Sequence, residues 1–179
     1  TTLKQPAQID RLIEAVSKAN PNCAVILSNG SPIEMPWLDQ VPAVLETYLG
    51  GQAGAEAMAD LVFGKQSPSG KLAETFPLSL ADVPSQPNFA NHPRQIVYRE
   101  GLNVGYRAYG GSQDGVLFPF GHGLSYTEFS YDKLNVSGQY NAANPLVQVT
   151  LEVTNSGACN GAEIIQLYVR DCEPPVYRP

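Results

Sequence analysis

The chain has 179 residues, of which 43% are hydrophobic and 16% are charged, and its formal net charge is -6. This apolar content can fill a core and the charge content is low for a disordered chain, so a globular protein is expected. The 11 Lys and Arg residues are scattered, which argues against a nucleic-acid partner, and no apolar run approaches the ~20 residues of a membrane-spanning helix.

The first elements alternate between helix and strand. Gln5 to Ala19 carries apolar residues at the i, i+3, i+4, i+7 spacing of an amphipathic helix. The continuous apolar run Ala24 to Leu27 predicts a strand buried in a mostly parallel sheet, and Val41 to Leu49 predicts a second strand. In open α/β sheets ligands bind beyond the carboxyl ends of the strands. The loop from Ser28 to Trp37, which follows the first strand, is therefore a candidate binding loop.

Glycines punctuate the next segment. Gly50, Gly51 and Gly54 mark a turn, the apolar spacing from Ala55 to Phe63 predicts a short helix, and Gly64 is predicted to end that helix. Three further segments follow: an extended segment from Lys71 to Phe76, a proline-rich surface loop from Leu78 to Pro93, and a brief strand from Ile96 to Tyr98.

The pattern changes near Thr127. Leu134 to Ser137 and Leu146 to Val153 alternate apolar and polar residues with the period of two that is typical of strands. Ala162 to Val169 is predicted as a further strand. The chain is therefore predicted to combine an α/β part, residues 1–126, with an all-β part, residues 127–179.

Three blocks of sequence carry a family resemblance. They are GGQAGAEAMADLVFGKQSPSGKLAETFP from Gly50, YREGLNVGYR from Tyr98 and PFGHGLSY from Pro119. In this order they strongly resemble the second domain of glycoside hydrolase family 3, of the β-glucosidase and β-xylosidase type, and three ordered blocks are more specific than one short motif. The resemblance implies that residues 1–126 are the C-terminal part of a three-layer α/β/α sandwich with a mostly parallel sheet. Residues 127–179 resemble the opening strands of a fibronectin type III-like domain, which needs about seven strands and ~100 residues, so an incomplete sandwich is expected.

The resemblance also implies a function. Members of this family are retaining glycosidases, which need two carboxyl groups ~5 to 5.5 Å apart. Their nucleophilic Asp lies on an N-terminal barrel, and the acid/base Glu lies upstream of the helix that corresponds to Gln5 to Ala19. We therefore expect no catalytic residue in this chain, an inactive chain by itself, and a parent enzyme acting on terminal β-linked glucosyl or similar residues. The alternative is a non-catalytic carbohydrate-binding or assembly module.

The carboxylates that are present are expected to be structural. Glu100 follows Arg99 in the YREGLNVGYR block, so a salt bridge is its predicted role. Glu56 and Asp60 form an i, i+4 pair on an exposed helical face and are expected to be solvated. Glu34 and Glu46 are likewise expected to have structural and not catalytic roles.

Trp37 is the candidate substrate-binding residue. It is the single tryptophan, and it ends a segment, NGSPIEMPW, that resembles the family's NxGSPVEMPW. Aromatic rings pack well on the C–H faces of sugars. The other interpretation, which we favour, is that Trp37 fills the edge of the core.

Neither a metal site nor a cofactor is expected. The histidines, His92 and His122, have no ligand at i+3 or i+4 on a credible helix. Cys23 is expected to be a small buried hydrophobe. A disulfide between Cys159 and Cys172 is the less favoured of two alternatives, because spacing cannot show the required geometry.

The expected partners are a β-glucoside or oligosaccharide, bound by the parent enzyme, and the remaining parent sequence. Unpaired strands and apolar faces of an incomplete sandwich favour that association or self-association. The Asn-x-Ser triplets at Asn29 and Asn135 match the glycosylation pattern, but such triplets are frequent by chance. The acidic pI and family habit lean weakly to a secreted or periplasmic parent, whose location is otherwise unknown.

Overall fold

The computed structural model describes residues 2–89, 94–139 and 146–177. The chain divides into two compact units, which are described in turn. The first comprises Thr1–Met58, Lys71–His122 and Gln166–Pro179, and the second comprises Ala59–Gly70 and Gly123–Ile165.

Two helices and six strands make up the regular structure of the described residues. The helices are α1 (Ala7–Ala19) and α2 (Gly54–Val62), and the strands are β1 (Ala24–Leu27), β2 (Ala43–Glu46), β3 (Phe76–Pro77), β4 (Val116–Phe118), β5 (Phe129–Gln139) and β6 (Leu146–Asn155). Short 3-10 turns occupy Leu38–Gln40, Leu80–Asp82, Gln86–Asn88 and Gly105–Tyr109. None of the helices in the described part of the chain has the length and apolar content to traverse a bilayer.

The helices form where the sequence pattern predicts them. Asp10 lies in the first turn of α1 and Lys18 in its last turn, so both charges complement the helix dipole. Gly64 follows α2 with φ +70, and its N–H donates to the carbonyl of Leu61 at 3.0 Å. This left-handed position ends the helix as expected of a glycine.

The first unit contains a parallel pair and an antiparallel pair of strands. β1 and β2 are parallel, with Ala24 opposite Ala43 and Leu27 opposite Glu46. β3 and β4 are antiparallel, with Phe76 opposite Phe118. The parallel pair is the small α/β sheet that positions the candidate site.

A core of five buried residues packs against these strands. Trp37 and Phe76 are 0% and 1% exposed, and the other members are Leu27, Ile33 and Met35. An aromatic side chain of this kind buries 150–250 Å², which at about 25 cal/mol per Å² stabilises the fold by about 4–6 kcal/mol for each ring. The core therefore depends most on Trp37 and Phe76.

The second unit is built on the β5–β6 hairpin. Phe129 lies opposite Asn155 and Gln139 opposite Leu146. The register advances by three residues on β5, from Asp132 to Asn135, against two on β6, so β5 contains one extra residue. This is a β-bulge.

Local hydrogen bonds hold the segment before this hairpin. The Tyr126 hydroxyl donates to the carbonyl of Leu61 at 3.0 Å, and its backbone N–H donates to Ser67 Oγ at 3.1 Å. Thr127 is buried and donates its hydroxyl to Asn155 Oδ1 at 2.7 Å.

Several predicted strands are shorter than expected or absent. The strand predicted over Val41 to Leu49 covers only Ala43–Glu46, because Pro42 has no N–H to donate and Tyr48 has a φ of +48, which breaks the extended backbone. Of Lys71 to Phe76 only Phe76 belongs to a strand. The brief strand predicted over Ile96 to Tyr98 is wrong, since Arg99 N–H donates to Val97 in a tight turn.

The strand predicted over Ala162 to Val169 is also wrong. The segment has no regular secondary structure, and the N–H of Ile164 donates to the side chain of its neighbour Glu163 instead of to a second strand. Its apolar residues are exposed, Val169 by 90%. A strand requires a neighbouring strand for its backbone ladder, and none of the strands in the described part of the chain pairs with this segment.

The burial of Trp37 generates a stability prediction. Trp37→Ala should lower the free energy of unfolding by about 3–5 kcal/mol, because it removes a fully buried ring and leaves a cavity. Urea denaturation followed by circular dichroism measures this loss. Tyr98→Ala is the matched control, since Tyr98 is 76% exposed and its removal should cost less than about 0.5 kcal/mol. Equal losses in both variants would contradict the assignment of Trp37 to the core.

Candidate functional site

The carboxyl ends of β1 and β2 meet at one edge of the parallel pair. Backbone and side chain of Thr47 both donate to the carbonyl of Leu27, at 2.9 Å and 2.6 Å. Ser28 Oγ donates to the carbonyl of Tyr48 at 3.0 Å. These bonds hold the two strand ends together and fix the start of the candidate loop, residues 28–37.

Asn29, Glu46 and Tyr48 form a polar cluster at this edge. Asn29 Nδ2 donates to the carbonyl of Ser31 at 2.7 Å and to Glu46 Oε2 at 3.1 Å. The N–H of Tyr48 donates to Glu46 Oε1 at 2.7 Å, so both carboxylate oxygens of Glu46 are engaged. Asn29 Oδ1 is buried and has no hydrogen-bond partner among the described residues. The Tyr48 hydroxyl is also buried without a hydrogen-bond partner among the described residues, so the cluster retains two unpaired polar groups.

Burial and like charge dominate the electrostatics of this edge. Burial raises the pKa of Glu46, although the hydrogen bonds from Tyr48, Asn29 and Thr47 partly oppose that effect. Burial also raises the pKa of Glu74, and the negative charge of Glu46 raises it further. The pKa of the Tyr48 phenol is raised by burial first and then by Glu74 and Glu46. Glu46 and Glu74 are therefore coupled acids.

The structure places Trp37, the predicted substrate-binding residue, in the hydrophobic core. Its ring is 0% exposed, and its indole Nε1–H donates to Asp10 Oδ1 at 3.2 Å. A buried indole N–H needs such a partner. The position agrees with the structural role considered for Trp37, and a role in binding substrate stays a prediction.

The other singled-out carboxylates have mixed environments. Glu34 Oε1 accepts from the N–H of Leu80 at 3.1 Å, which is a structural role. Asp60 pairs with Lys65 at 3.0 Å, whereas Glu56 is exposed. Within the described residues the salt bridges are Lys65–Asp60 and Lys133–Glu152, so the salt bridge predicted for Glu100 is wrong. Arg99 and Glu100 are consecutive in a turn, and Arg99 is exposed to solvent.

A cleft of about 260 Å³ lies in the first unit and includes Glu74, which is coupled to Glu46 at the strand edge. Pro32 of the candidate loop also lines it. Its polar lining consists of Glu74, Thr75, Ser85, Glu100, Asn103 and Tyr109. From the sequence, Glu100 is predicted only as a structural residue, and Glu74, Asn103 and Tyr109 are not singled out. These residues come from separate segments, and no periodic signal connects them.

The histidines and cysteines do not assemble into a site in the described chain. His122 stacks on Phe118 with ring centroids 4.9 Å apart, and burial, followed by the charge of Lys71, lowers the pKa of His122. His92 lies outside the described residues. Cys159 and Cys172 are exposed and free, so the disulfide considered between them is not formed, and Cys23 is half-buried and free. Across residues 2–89, 94–139 and 146–177 no three His, Cys, Asp or Glu side chains group as metal ligands would.

The coupled acids generate a prediction of pH dependence. The folded-state pKa values of Glu74 and Glu46 are raised above the ordinary 4.5, so the folded protein binds their protons more tightly than the unfolded chain does. Their contribution to the free energy of unfolding is therefore fully present below pH 4.5 and is lost as the pH rises through the raised pKa values. Glu74→Gln removes one charge of the pair and should leave the protein more stable than wild type at pH 7. The difference should be small, within about 1 kcal/mol, because the side chain of Glu74 is only partly buried and solvent screens its charge.

The measurement is thermal or urea unfolding from pH 3 to pH 8 in low salt. The advantage of Glu74→Gln should shrink as the pH falls below 4.5 and should weaken in high salt. Glu56→Gln, an exposed helical carboxylate, is the matched control and should follow wild type. A Glu74→Gln variant whose stability runs parallel to wild type at every pH would show that the two acids are not coupled.

Known proteins resemble this chain over most of its length. The family-wide sequence model of the glycosyl hydrolase family 3 C-terminal domain matches residues 1–126. Thermostable beta-glucosidase B of Acetivibrio thermocellus is 50% identical over 179 residues, which is 100% of this chain and 24% of that protein. Probable beta-glucosidase I of Aspergillus terreus is 40% identical over 97% of this chain and 21% of its own length.

Solved structures show the same similarity. A beta-glucosidase from Kluyveromyces marxianus superposes with a TM-score of 0.80 at 35% identity, over 87% of this chain and 18% of that one. The Bifidobacterium adolescentis GH3 beta-glucosidase superposes with a TM-score of 0.79 at 44% identity, over 87% of this chain and 23% of that one. The chain thus spans about a quarter or less of the length of these relatives. The match over residues 1–126 shows that the chain belongs to glycosyl hydrolase family 3, as part of its C-terminal domain.

Proposed function

We propose that this chain is part of a retaining β-glucosidase that cleaves terminal β-linked glucosyl or similar residues. The observation that carries the proposal is the family 3 match over residues 1–126, together with relatives named as β-glucosidases at up to 50% identity among those given above. Relatives from Kluyveromyces marxianus and Streptomyces venezuelae were solved in complex with glucose, which supports a glucoside as the substrate of the parent enzyme.

In this proposal the reaction uses carboxyl groups from other parts of the parent polypeptide. A retaining glycosidase needs one carboxylate to attack the anomeric carbon and one carboxylic acid to protonate the leaving oxygen. The acids of this chain have other partners or surroundings: Glu46 accepts from Asn29 and Tyr48, and Glu34 accepts from Leu80. The nucleophilic Asp and the acid/base Glu are therefore assigned outside the chain, which contributes the wall beside the sugar site.

The proposal includes the finer architecture. Residues 1–126 are taken as the C-terminal part of a three-layer α/β/α sandwich, and the parallel β1–β2 pair with α1 before it supports this assignment. Residues 127–179 are taken as the first strands of a fibronectin type III-like domain. Support comes from the long antiparallel β5–β6 hairpin and its alternating apolar side chains.

One observation favours the second candidate function, a non-catalytic carbohydrate-binding module. The cleft in the first unit has polar groups on its wall and is formed by this chain alone. Such a module would bind sugar without hydrolysing it, so binding and hydrolysis must be measured separately.

An activity measurement tests the catalytic assignment. The purified 179-residue chain should release no aglycone from an aryl β-glucoside above the uncatalysed rate, because neither half of the catalytic pair is assigned to it. A longer parent polypeptide that includes the upstream region should hydrolyse the same substrate. Hydrolysis by the 179-residue chain would show that the catalytic pair is present after all, and an inactive parent would remove the support for the β-glucosidase proposal.

We further infer that exposed apolar faces of the chain associate with the rest of the parent polypeptide or, in its absence, with a second copy. In β5 and β6 the side chains of Tyr131, Val136, Val147 and Val153 are 50%, 61%, 43% and 37% exposed. In the hairpin Tyr131 lies opposite Val153, and Val136 lies opposite Val149, so one sheet face is apolar and uncovered within its unit. Exposed apolar patches of this kind mark interaction surfaces.

Light scattering on the isolated chain tests this association. The measured mass should exceed the monomer mass of 19.3 kDa. Val136→Lys should reduce the associated fraction, because it places a charge on the apolar face. Ser137→Lys is the matched control, since neighbouring strand residues point to opposite faces. A monomeric chain, or an equal response to both substitutions, would refute the inference.

A further inference from the structure

The cleft in the first unit has hydrogen-bonding capacity that the fold leaves unused. Asn103 Oδ1 accepts from the Tyr177 hydroxyl at 2.7 Å, which leaves the side-chain NH₂ group of Asn103 as a donor. Thr75 Oγ1 accepts from the N–H of Phe120 at 3.1 Å and keeps its own hydroxyl hydrogen for a second bond. Hydrogen-bond donors and acceptors therefore line the same cleft.

The acceptors are two carboxylates. Glu100 is half-buried, and the hydrogen bond that it makes within the described residues is through its backbone carbonyl, which accepts from Asn103 N–H at 2.9 Å. Glu74 lines the same cleft, at the end of the segment before β3. A carboxylate oxygen accepts from a hydroxyl in a charge-assisted bond that is about twice as strong as a neutral one.

The lining also restricts the kind of ligand. Among the lining residues that the structure describes there is no Lys or Arg, so two negative charges disfavour phosphate, sulfate and carboxylate ligands there. A hard cation takes several oxygen ligands, whereas here the NH₂ donors of Asn103 are also part of the lining. A neutral ligand with several hydroxyls uses both the donors and the acceptors.

The size and the apolar lining point to a single ring. About 260 Å³ lies just below the ~300–1,000 Å³ that drug-sized ligands occupy. The apolar lining comes from Leu3, Pro32, Pro77, Val83, Pro84 and Val104. Such surfaces suit the C–H face of a pyranose, and the polar lining residues offer partners for its hydroxyls.

We propose that this cleft binds one neutral pyranose unit, with Glu100 and Glu74 accepting from its hydroxyls and Asn103 donating to them. The choice of a glucoside as the pyranose rests on the proposed function. The cleft and its hydrogen-bonding groups belong to this chain alone.

A nuclear magnetic resonance titration of the 179-residue chain with methyl β-D-glucopyranoside tests the proposal. Saturable shifts are expected at the amides of Asn103, Val104 and Gly105, with a dissociation constant in the millimolar range, about 1–10 mM, as suits a ligand of this size. Glu100→Gln should weaken binding about tenfold, because it removes a charge-assisted bond. Glu56→Gln, a carboxylate outside the lining, should leave binding unchanged.

Further measurements separate the alternatives. Asn103→Asp keeps the acceptor for Tyr177 but replaces the NH₂ donor with a charge, so it should also weaken binding, and circular dichroism confirms that each variant is folded. D-Glucitol, which lacks the ring, should not saturate the same amides. Absence of saturable shifts, equal binding by wild type and Glu100→Gln, or equal binding of glucitol would each overturn the proposal.

One outcome would show that the ligand class is wrong, and two others keep this inference separate from the proposed function. If calcium chloride alone shifts the same amides and the glucoside does not, the cleft is a cation site and the proposal is wrong. If the longer parent polypeptide hydrolyses aryl β-glucosides while this cleft binds none, the pyranose inference fails and the β-glucosidase proposal stands. The reverse result, sugar binding with an inactive parent, would contradict only the proposed function.

Discussion

The burial of Trp37 constrains the rest of the first unit. A fully buried indole must cover its ring with apolar side chains and must also give its N–H a partner. Leu27, Ile33, Met35 and Phe76 satisfy the first requirement, and the carboxylate of Asp10 satisfies the second at 3.2 Å. Because Asp10 belongs to α1, Leu27 to β1 and Phe76 to β3, one ring ties together a helix and two strands that are far apart in sequence.

This packing also sets the position of the polar strand edge. Trp37 ends the loop that begins at Ser28, so a fixed ring limits where Asn29 can lie. Asn29 in turn orients Glu46, whose second oxygen holds the backbone of Tyr48. Tyr48 adopts a φ of +48, a conformation that is costly for a residue with a side chain, and the bond from Glu46 helps to maintain it. The apolar core around Trp37 and the polar strand edge at Glu46 are thus connected through the loop that begins at Ser28.

Sequence reasoning predicted the elements whose signal is local. α1, β1 and α2 were predicted to within about two residues, because apolar spacing and flanking glycine or polar residues define such elements without reference to the rest of the chain. The segment at Ala162 shows the opposite case: its alternation is typical of a strand, but a strand also needs a partner for its backbone. The cleft could not be predicted, since Glu74, Glu100 and Tyr109 meet only through tertiary packing. The family resemblance was readable because it depends on residue identity in three ordered blocks.

The bulge in β5 has a consequence for which side of the hairpin is apolar. In a regular strand Tyr131 and Val136, five positions apart, would point to opposite faces. The extra residue between Asp132 and Asn135 shifts the alternation by one, and both side chains then lie opposite odd-numbered residues of β6, Val153 and Val149. Without Lys133, Val136 would stand four positions after Tyr131, and a regular strand would keep both side chains on the same face. With Lys133 present, only the bulge does so, and it therefore converts a broken sequence alternation into one continuous apolar surface.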